Sequence, residues 1–302
     1  MIKLPSELNN KNLIDDLRTL SWEASEILLY YAQILKDSND KSNILKNNNI
    51  DDPVTLADLK VNELIIKRIN EKYKDINWDI LSEENVKYVP HKSHKKTDWL
   101  WVLDPLDGTK DFIQGTSNYA MHLALSYKLR PYIGIVLIPE KEELWIADGK
   151  FVWGEKKDGT KINPNFSKNK RLKEMILVTS KNHRNEILRN LIQKIDFNEV
   201  IIMGSIGCKI TSIVRGESDI YICLSLPGKS SPKDWDFAAP EAILRGVGGA
   251  ITNLDNSKLT YGQTDFLQGG VIVASNNSKT HKNLCLEIKE IIQKYDLYPL
   301  PS

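Results

Sequence analysis

The hydrophobic pattern of this chain changes its period near residue 78, and this change constrains the fold more than any other feature of the sequence. Apolar residues recur at helical spacing over residues 13–35 and again over residues 61–69, which predicts two amphipathic helices. Beyond them the apolar residues form short runs separated by turn residues, as is typical of β-strands. These runs cover residues 78–81, 99–103, 119–127, 132–138 and 143–147. Two helices followed by a β meander predict an α+β first half.

A stretch rich in Asn and Lys, residues 161–170, has few apolar positions and is predicted to be a linker. Strand and helix patterns alternate after it, which is typical of an α/β arrangement. The strands are predicted over residues 175–179, 199–203, 218–224, 250–253 and 270–274, and the helices over residues 185–194, 206–215, 237–245 and 279–295. We therefore expect an α+β domain over residues 1–165 and an α/β domain over residues 166–302.

The charges of the chain nearly cancel, since 41 Lys and Arg residues face 40 Asp and Glu residues and leave a net charge of +1. Such a chain has no general positive field that would gather a nucleic-acid polymer or an anionic membrane. The uninterrupted apolar runs are about five residues long, well short of the roughly 20 that cross a bilayer. The N-terminal residues turn polar before a signal-peptide core develops, and the three cysteines are widely spread. We therefore expect a cytoplasmic protein without a disulfide framework or a zinc site.

Residues 98–112 are the most informative stretch for function. An apolar strand there leads into Asp104 and Asp107, and the pair Gly108-Thr109 then allows a short helix to begin. The carboxyl end of a strand that meets a helix N-terminus is where open α/β folds bind ligands, and such a helix end favours phosphate. On spacing alone, a polar turn capped by Asp fits these residues equally well.

Further acidic residues follow other predicted elements. The pair Glu83-Glu84 comes after the strand at 78–81, where a solvated turn is the simpler interpretation, and Asp236 precedes a helix that it would cap. If Glu83 and Asp236 converge with Asp104 and Asp107, each pair of carboxylates at about 4 Å repels by around 4 kcal/mol at an effective dielectric of 20. Hard cations would have to offset this repulsion. A set of oxygen ligands without His or Cys selects Mg²⁺, Mn²⁺ or Ca²⁺, and Mg²⁺ is the usual choice beside phosphates.

Thr55 and Asp58 have the spacing of a capping box for the second predicted helix, with Asp in place of the usual Glu. Taken alone, this pair indicates only where a helix begins. Trp99 and Trp101 lie on the apolar strand that leads into the acidic stretch, and core packing explains them better than base stacking.

A nucleotide-triphosphatase loop is excluded by the residues around Gly228-Lys229-Ser230. The glycine that such a loop requires five residues earlier is Cys223, and Pro232 stands where its helix should begin.

Four motifs of this chain occur in the same order as the signature motifs of one known family. Asp-Pro-Val-Thr-Leu-Ala-Asp (52–58), Ser-Glu-Glu (82–84), Asp-Pro-Leu-Asp-Gly-Thr (104–109) and Trp-Asp-Phe-Ala-Ala-Pro-Glu-Ala (235–242) resemble the signatures of the inositol monophosphatase superfamily of Mg²⁺-dependent, lithium-sensitive phosphatases. They span most of the chain. The resemblance implies a layered αβαβα sandwich of the sugar-phosphatase type, with an antiparallel-rich N-terminal half and an α/β C-terminal half.

This chain resembles one branch of the superfamily more than the others. The run Gly-Thr-Lys-Asp-Phe (108–112) resembles the 3'(2'),5'-bisphosphate nucleotidases of the CysQ type, which carry Gly-Thr-Lys, an acidic residue and Phe. Residues 204–209 resemble the stretch from which that branch draws phosphate and sugar contacts. Gly207-Cys208 within it, and residues 227–233 before Trp235, depart from the commoner pattern.

The resemblance implies a set of metal ligands. Glu83, Asp104 and the backbone carbonyl of Leu106 would hold one Mg²⁺, and Asp104, Asp107 and Asp236 would hold a second. Some members of such families use a third, weakly held ion. Four carboxylates and two divalent ions sum to zero charge, so the filled site would accept a phosphate dianion without net repulsion.

The resemblance also implies catalytic and substrate-binding roles. Thr109, held by Asp58, would orient the attacking water with help from Glu83, and no covalent phosphoenzyme forms. The expected substrate-binding residues are Asp107, Gly108, Thr109, Ser205, Lys209 and Asp236. Lys209 lies on a predicted helix, where a surface lysine and a substrate contact are equal alternatives.

The leading hypothesis is a Mg²⁺-dependent phosphatase that removes the 3'-phosphate of adenosine 3',5'-bisphosphate and also accepts 3'-phosphoadenylyl sulfate. An inositol monophosphatase or a sugar bisphosphatase is the alternative within the same enzyme class. A non-catalytic, metal-gated sensor of nucleotides or phosphate is the alternative from another class. The expected partner is a small phosphorylated molecule, and a homodimer is compatible with the sequence.

Overall fold

Eight α-helices and fourteen β-strands form within the residues that the computed structural model describes, namely 4–5, 8–37, 44–47, 54–88, 97–165, 170–181, 185–226, 228–263 and 265–300. The helices are α1 (Asn10–Asp37), α2 (Leu56–Lys72), α3 (Glu83–Tyr88), α4 (Thr109–Ile113), α5 (Glu186–Ile195), α6 (Ile206–Val214), α7 (Asp234–Gly246) and α8 (Ser278–Lys294). The strands are β1 (Leu45–Asn47), β2 (Val54–Thr55), β3 (Asp79–Ser82), β4 (Trp99–Asp107), β5 (Ala120–Tyr127), β6 (Arg130–Ile138), β7 (Glu143–Ala147), β8 (Val152–Lys156), β9 (Lys161–Ile162), β10 (Ile176–Ser180), β11 (Glu199–Met203), β12 (Ile220–Ser225), β13 (Ala250–Asn253) and β14 (Gly270–Ser275).

Strands β1 and β2 form a separate two-stranded pair, and the first large sheet has seven strands in the order β3-β4-β5-β6-β7-β8-β9. Its strands pair antiparallel except for β3 and β4, which are parallel. All nine residues of β4 are buried, which includes Trp99 and Trp101, so the prediction that these rings belong to the core is confirmed. The pairing of β4 with β5 is irregular between Asp104 and Asp107, where Pro105 lacks the N–H that a regular ladder needs.

The second sheet has five strands in the order β11-β10-β12-β14-β13. Strand β10 pairs parallel with both β11 and β12, whereas β14 pairs antiparallel with β12 and β13. The parallel pairs come from the alternating strand and helix segments of the sequence, since a parallel neighbour requires a crossover connection.

The helices cover both sheets and fill the space between them. Helices α1 and α2 pack their apolar stripes on the outer face of the first sheet, and α5 and α8 cover the outer face of the second. Helices α6 and α7 lie between the sheets, where Phe237 and Ile243 share one core with Val102 of the first sheet and Ile272 of the second. The expected αβαβα sandwich is thus confirmed.

Helix α7 approaches the first sheet closely because Gly134 of β6 has no side chain. A Cβ atom at this glycine would lie 2.7 Å from both the carbonyl oxygen of Ala239 and the Cβ of Ala242. Helix α7 also carries Asp236 in its first turn, so this close contact helps to place a predicted metal ligand.

Several predicted boundaries differ from the observed ones. Helix α7 begins at Asp234 rather than at residue 237, and Asp236 is not its cap, since its Oδ2 accepts a hydrogen bond from the backbone N–H of Lys233 at 2.6 Å. The pair Glu83-Glu84 opens helix α3 instead of a turn. Strand β9 lies in the stretch predicted as a linker, of which residues 166–169 are outside the described residues. Strand β8 was not predicted, because its residues carry few apolar side chains.

The division into domains at residues 165 and 166 stays a prediction. The first sheet lies within residues 1–165 and the second within residues 166–302, while the central core draws residues from both. Among the described residues, no helix combines the length and the apolar character that crossing a bilayer requires.

We expect Gly134→Ala to destabilise the protein by about 1–3 kcal/mol, because the added methyl group forces α7 away from β6. Urea unfolding followed by circular dichroism measures this change. Gly269→Ala is the matched control, since a Cβ there meets only the Ser231 hydroxyl at an ordinary 3.7 Å. Equal stability of the two variants would show that α7 does not depend on this close approach.

Candidate metal centre

The irregular end of β4 brings two carboxylates to the same edge of the first sheet. Asp104 and Asp107 are 1% and 8% exposed, and the Oδ1 of Asp104 accepts the backbone N–H of Leu106 at 3.0 Å. Asp236 reaches the same place from the first turn of α7. One carboxylate oxygen from each of the three aspartates lies within 4.8 Å of the others. We call these three residues the aspartate cluster.

The N-terminus of α6 holds Asp107 through one of its two oxygens. The Oδ2 atom accepts the hydroxyl of Ser205 at 2.7 Å, the backbone N–H of Gly207 at 3.1 Å, and the backbone N–H of Ile206. Anionic groups are stabilised at helix N-termini, where backbone N–H groups have no partner within the helix. Because all three bonds end on Oδ2, the Oδ1 atom remains available for a cation.

Burial and mutual repulsion dominate the electrostatics of the cluster. Burial, followed by the charges of Glu83, Asp107 and Asp236, raises the pKa of Asp104 well above its ordinary value. The pKa of Asp236 is also raised well above its ordinary value, by burial and then by Asp107 and Glu83. A divalent cation would relieve both effects, since it compensates the charge that burial and repulsion disfavour.

Glu83 joins the cluster from the first residue of α3. It lies close enough to Asp104 to form a hydrogen bond with it, although it is not among the three residues whose oxygens approach within 4.8 Å. The ammonium group of Lys87 lies 2.9 Å from Glu83 and 3.2 Å from Glu84, which is fully buried. Sequence analysis missed Lys87, although its spacing of four residues from Glu83 is the spacing of ion pairs on a helix.

Thr109 and Asp58 lie beside the cluster. The hydroxyl of Thr109 is 3.0 Å from the carbonyl oxygen of Leu106 and 3.4 Å from the Oδ1 of Asp58. The Oδ2 of Asp58 accepts both the backbone N–H and the hydroxyl of Thr55, at 2.8 and 2.5 Å, and so completes the capping box of α2. Burial, assisted by the charge of Glu84, raises the pKa of Asp58 to about 8. The capping box and the contact with Thr109 thus use different oxygens of one carboxyl group.

Gly108 forms the turn between the cluster and α4. Its φ of +88° lies in the left-handed region, and a Cβ there would come within 2.9 Å of the carbonyl oxygen of Asn118. Only glycine meets both requirements without strain. The position of the Thr109 hydroxyl therefore depends on this glycine.

Lys209 lies inside the protein rather than on its surface. It is 3% exposed, and its ammonium group sits 5.4 Å from the centre of the Tyr221 ring. Burial lowers its pKa, while the charge of Asp107 acts in the opposite direction. The alternative of a surface lysine is therefore wrong, because α6 is buried between the two sheets and exposes no face that would keep this side chain in water.

Two residues near Asp107 complete the local structure. Ser205 caps α6, since its hydroxyl accepts the backbone N–H of Cys208 at 3.1 Å. His122, which sequence analysis missed, is fully buried, and its Nε2 atom lies 3.2 Å from the Oδ2 of Asp107. Its position opposite Asp104 in the pairing of β4 with β5 is apparent only once the strands are aligned.

The aspartate cluster fits a hard divalent cation. Its donors are carboxylate oxygens, they are mostly buried, and the charge of Asp107 raises the pKa of both Asp104 and Asp236. Mg²⁺ and Ca²⁺ prefer such oxygen ligands, whereas zinc sites commonly contain Cys or His.

Comparisons with known proteins agree with this geometry. The sequence profile of the inositol monophosphatase family matches residues 9–293. The chain is 28% identical over 254 residues to a 3'(2'),5'-bisphosphate nucleotidase CysQ of Aggregatibacter actinomycetemcomitans, covering 84% of this chain and 89% of that protein. It is 31% identical over 248 residues to the Nus factor SuhB of Pasteurella multocida, covering 78% and 82%. The structure of an IMPase from Thermotoga maritima superimposes with a TM-score of 0.72 at 21% identity, covering 94% of this chain and 99% of the other.

We expect Asp104→Asn to leave the metal-free protein at least as stable as the wild type, because it removes one of the repelling charges. With Mg²⁺ at about 100 times its dissociation constant, the wild type should gain about 2.7 kcal/mol and the variant much less. Thermal unfolding with and without Mg²⁺ measures both effects. An equal gain from Mg²⁺ in both proteins would place the cation elsewhere.

Proposed function

This chain belongs to the inositol monophosphatase family, and on that basis we propose that it is a Mg²⁺-dependent phosphatase that removes the 3'-phosphate of adenosine 3',5'-bisphosphate. Members of the family are metal-dependent phosphatases that act on small phosphorylated substrates. The observation that carries the proposal is the convergence of Asp104, Asp107 and Asp236, with Glu83 beside them. The same site would also accept 3'-phosphoadenylyl sulfate.

The proposed ligand sets use Glu83 and the three carboxylates of the aspartate cluster. Glu83, Asp104 and the carbonyl of Leu106 would hold one Mg²⁺, and Asp104, Asp107 and Asp236 would hold another. The Leu106 carbonyl accepts the Thr109 hydroxyl at 3.0 Å, and its second lone pair stays available for a cation. Bound Mg²⁺ supplies charge for the phosphoryl oxygens and lowers the pKa of a bound water. The proposal also includes a third, weakly held Mg²⁺ ion.

Thr109 is proposed to orient the attacking water. Its single hydroxyl proton is directed to the Leu106 carbonyl or to Asp58, both within 3.4 Å. The lone pairs of the hydroxyl oxygen can therefore accept a hydrogen bond from the attacking water. Glu83, at the first residue of α3, would assist as the second acceptor. In this proposal the water attacks phosphorus directly, without a covalent phosphoenzyme.

Lys209 and Ser205 are proposed to contact the substrate in different ways. The side chain of Lys209 is buried beside the ring of Tyr221, so an entering anion would supply the charged partner that a buried ammonium group requires. Ser205 already donates its only hydroxyl proton to Asp107. It can therefore accept a hydrogen bond from a sugar hydroxyl but has no proton for a phosphate oxygen. Gly108, Thr109, Asp107 and Asp236 would line the rest of the phosphoryl site.

The nucleotide as substrate is supported by the relatives named CysQ and by the run Lys110-Asp111-Phe112. Within this run, Asp111 and Phe112 are buried, and Phe112 packs edge-on against Tyr119 with the ring centres 4.9 Å apart. A Cβ at Gly204 would lie 2.2 Å from the Oδ2 of Asp111. These two residues thus support α4 and the turn before α6, and we propose that they shape the site without touching the substrate.

Two alternatives have specific support. An inositol phosphate as substrate is favoured by the similarity to the protein of Thermotoga maritima that is named an IMPase. A non-catalytic sensor of nucleotides or phosphate is favoured by the similarity to SuhB, which is named a Nus factor. The cytoplasmic location and the homodimer stay predictions, which cell fractionation and analytical ultracentrifugation would test.

The substrate assignment is tested by phosphate release from adenosine 3',5'-bisphosphate, inositol monophosphate, fructose 1,6-bisphosphate and NADP under identical Mg²⁺ concentrations. We expect the nucleotide bisphosphate to have the highest kcat/KM. A higher value for inositol monophosphate or fructose 1,6-bisphosphate would replace the nucleotide by that substrate. Tight nucleotide binding without phosphate release from any of the four would favour the sensor.

Thr109→Ala should slow turnover by about a hundredfold or more, since it removes the group that orients water, while Mg²⁺ affinity stays close to that of the wild type. Steady-state kinetics and calorimetric Mg²⁺ titration measure the two quantities. Thr109→Ser is the matched control, because it keeps the hydroxyl and should retain most of the activity. If Mg²⁺ affinity falls in parallel with turnover, Thr109 is a structural residue.

A further inference from the structure

His122 lies in the interior directly beneath the aspartate cluster. It is fully buried in β5 and pairs with Asp104 of β4 in the strand register. Its Nδ1 atom is 3.3 Å from the backbone carbonyl of Trp235, and its Nε2 atom is 3.2 Å from the Oδ2 of Asp107. The imidazole ring therefore spans the gap between the end of β4 and the first turn of α7, the two segments that carry the cluster.

The Nε2 atom is an unusual group for a protein interior. Among the described residues it has no hydrogen-bond partner, since its approach to Asp107 lacks the alignment of a hydrogen bond. Buried polar atoms normally have partners, and an exception calls for an explanation. Its contact with Asp107 offers such an explanation. The imidazole ring packs against the Oδ2 atom, which also accepts hydrogen bonds from Ser205 and Gly207.

Gly207 packs directly against this imidazole ring. A Cβ atom at Gly207 would lie 2.2 Å from the Nε2 and 3.0 Å from the Cδ2 of His122, and 2.9 Å from the Cγ1 of Val136. Gly207 lies in the first turn of α6, and these short distances leave no room for a larger residue at this position. Its backbone N–H also donates to the Oδ2 of Asp107 at 3.1 Å. Both residues thus contact Asp107 and each other.

We infer that His122 is a positioning residue of the metal centre, and that His122 and Gly207 form a matched pair that fixes which oxygen Asp107 presents to a cation. The donors of α6 and the ring of His122 enclose Oδ2, which restrains rotation of the carboxylate and keeps Oδ1 available. The contact of Nδ1 with the Trp235 carbonyl links this restraint to the neighbouring ligand Asp236. This inference rests on the proposed metal site but concerns the binding of the ion rather than the identity of the substrate.

Metal binding in the absence of substrate tests the pair. Mn²⁺ titration of the wild type, His122→Ala, Gly207→Ala and the double variant is followed by the electron paramagnetic resonance signal of free Mn²⁺. We expect each single substitution to weaken Mn²⁺ binding by about tenfold or more, the range observed when a residue that orients a metal ligand is removed. The double variant should bind no more weakly than the weaker single variant, because removing the ring makes room for the new methyl group.

Two amide variants separate the contacts of the ring. His122→Gln places an amide nitrogen near the position of Nε2 and keeps the contact with Asp107, whereas His122→Asn reaches only the position of Nδ1 and the Trp235 carbonyl. We expect His122→Gln to bind Mn²⁺ more tightly than His122→Asn. This comparison and Gly207→Ala decide the inference if His122→Ala does not fold.

His281→Ala is the control for a buried histidine far from the cluster. His281 lies on α8, is 1% exposed, and hydrogen-bonds to Ser275 at 2.7 Å and to Thr252 at 2.8 Å. Its loss should lower the melting temperature without changing Mn²⁺ affinity. The inference is overturned if the His122 and Gly207 variants behave like this control, or if their effects on affinity multiply in the double variant. A wild type that binds no Mn²⁺ overturns the metal centre itself, whereas a wild type that binds Mn²⁺ but hydrolyses none of the four phosphate esters overturns only the substrate.

Discussion

The rest of the structure depends on the repulsion between carboxylates that the fold forces together at the end of β4. Two unit charges about 4 Å apart repel by around 4 kcal/mol at an effective dielectric of 20. Asp104, Asp107 and Asp236 approach to this order of distance, and burial adds to the cost of keeping them charged. A fold that maintains this arrangement needs compensating groups around it.

Each carboxylate has a different compensating group. The N-terminus of α6 holds Asp107, the Lys233 N–H holds Asp236, and the Lys87 ammonium pairs with Glu83. Asp104 likewise accepts one backbone N–H, from Leu106, and it is more buried than Asp236. A cation at the centre would therefore stabilise Asp104 most. In the proposed ligand sets, Asp104 is also the carboxylate that both Mg²⁺ ions share.

The layered packing supplies the geometry that the charges require. Gly134 lets α7 lie against the first sheet, and the irregularity at Pro105 turns Asp104 and Asp107 toward the same edge. Gly207 lets α6 lie against His122 and so brings its N–H groups to Asp107. Close packing at two glycines thus decides where helices α6 and α7 lie. The first turns of these helices carry the groups that form and hold the acidic site.

The sequence by itself determined the elements and the chemistry of the site. Apolar periodicity located α1, α2 and most strands, and the spacing of Thr55 and Asp58 located the start of α2, because these signals depend on residues a few positions apart. The acidic motifs indicated a hard cation from the donor type alone. Only the tertiary structure decided that Asp236 approaches Asp104, that Lys209 is buried, and that His122 touches both Asp107 and Gly207. These contacts join residues far apart in the chain, and they follow from how two sheets and their helices pack, which no local pattern encodes.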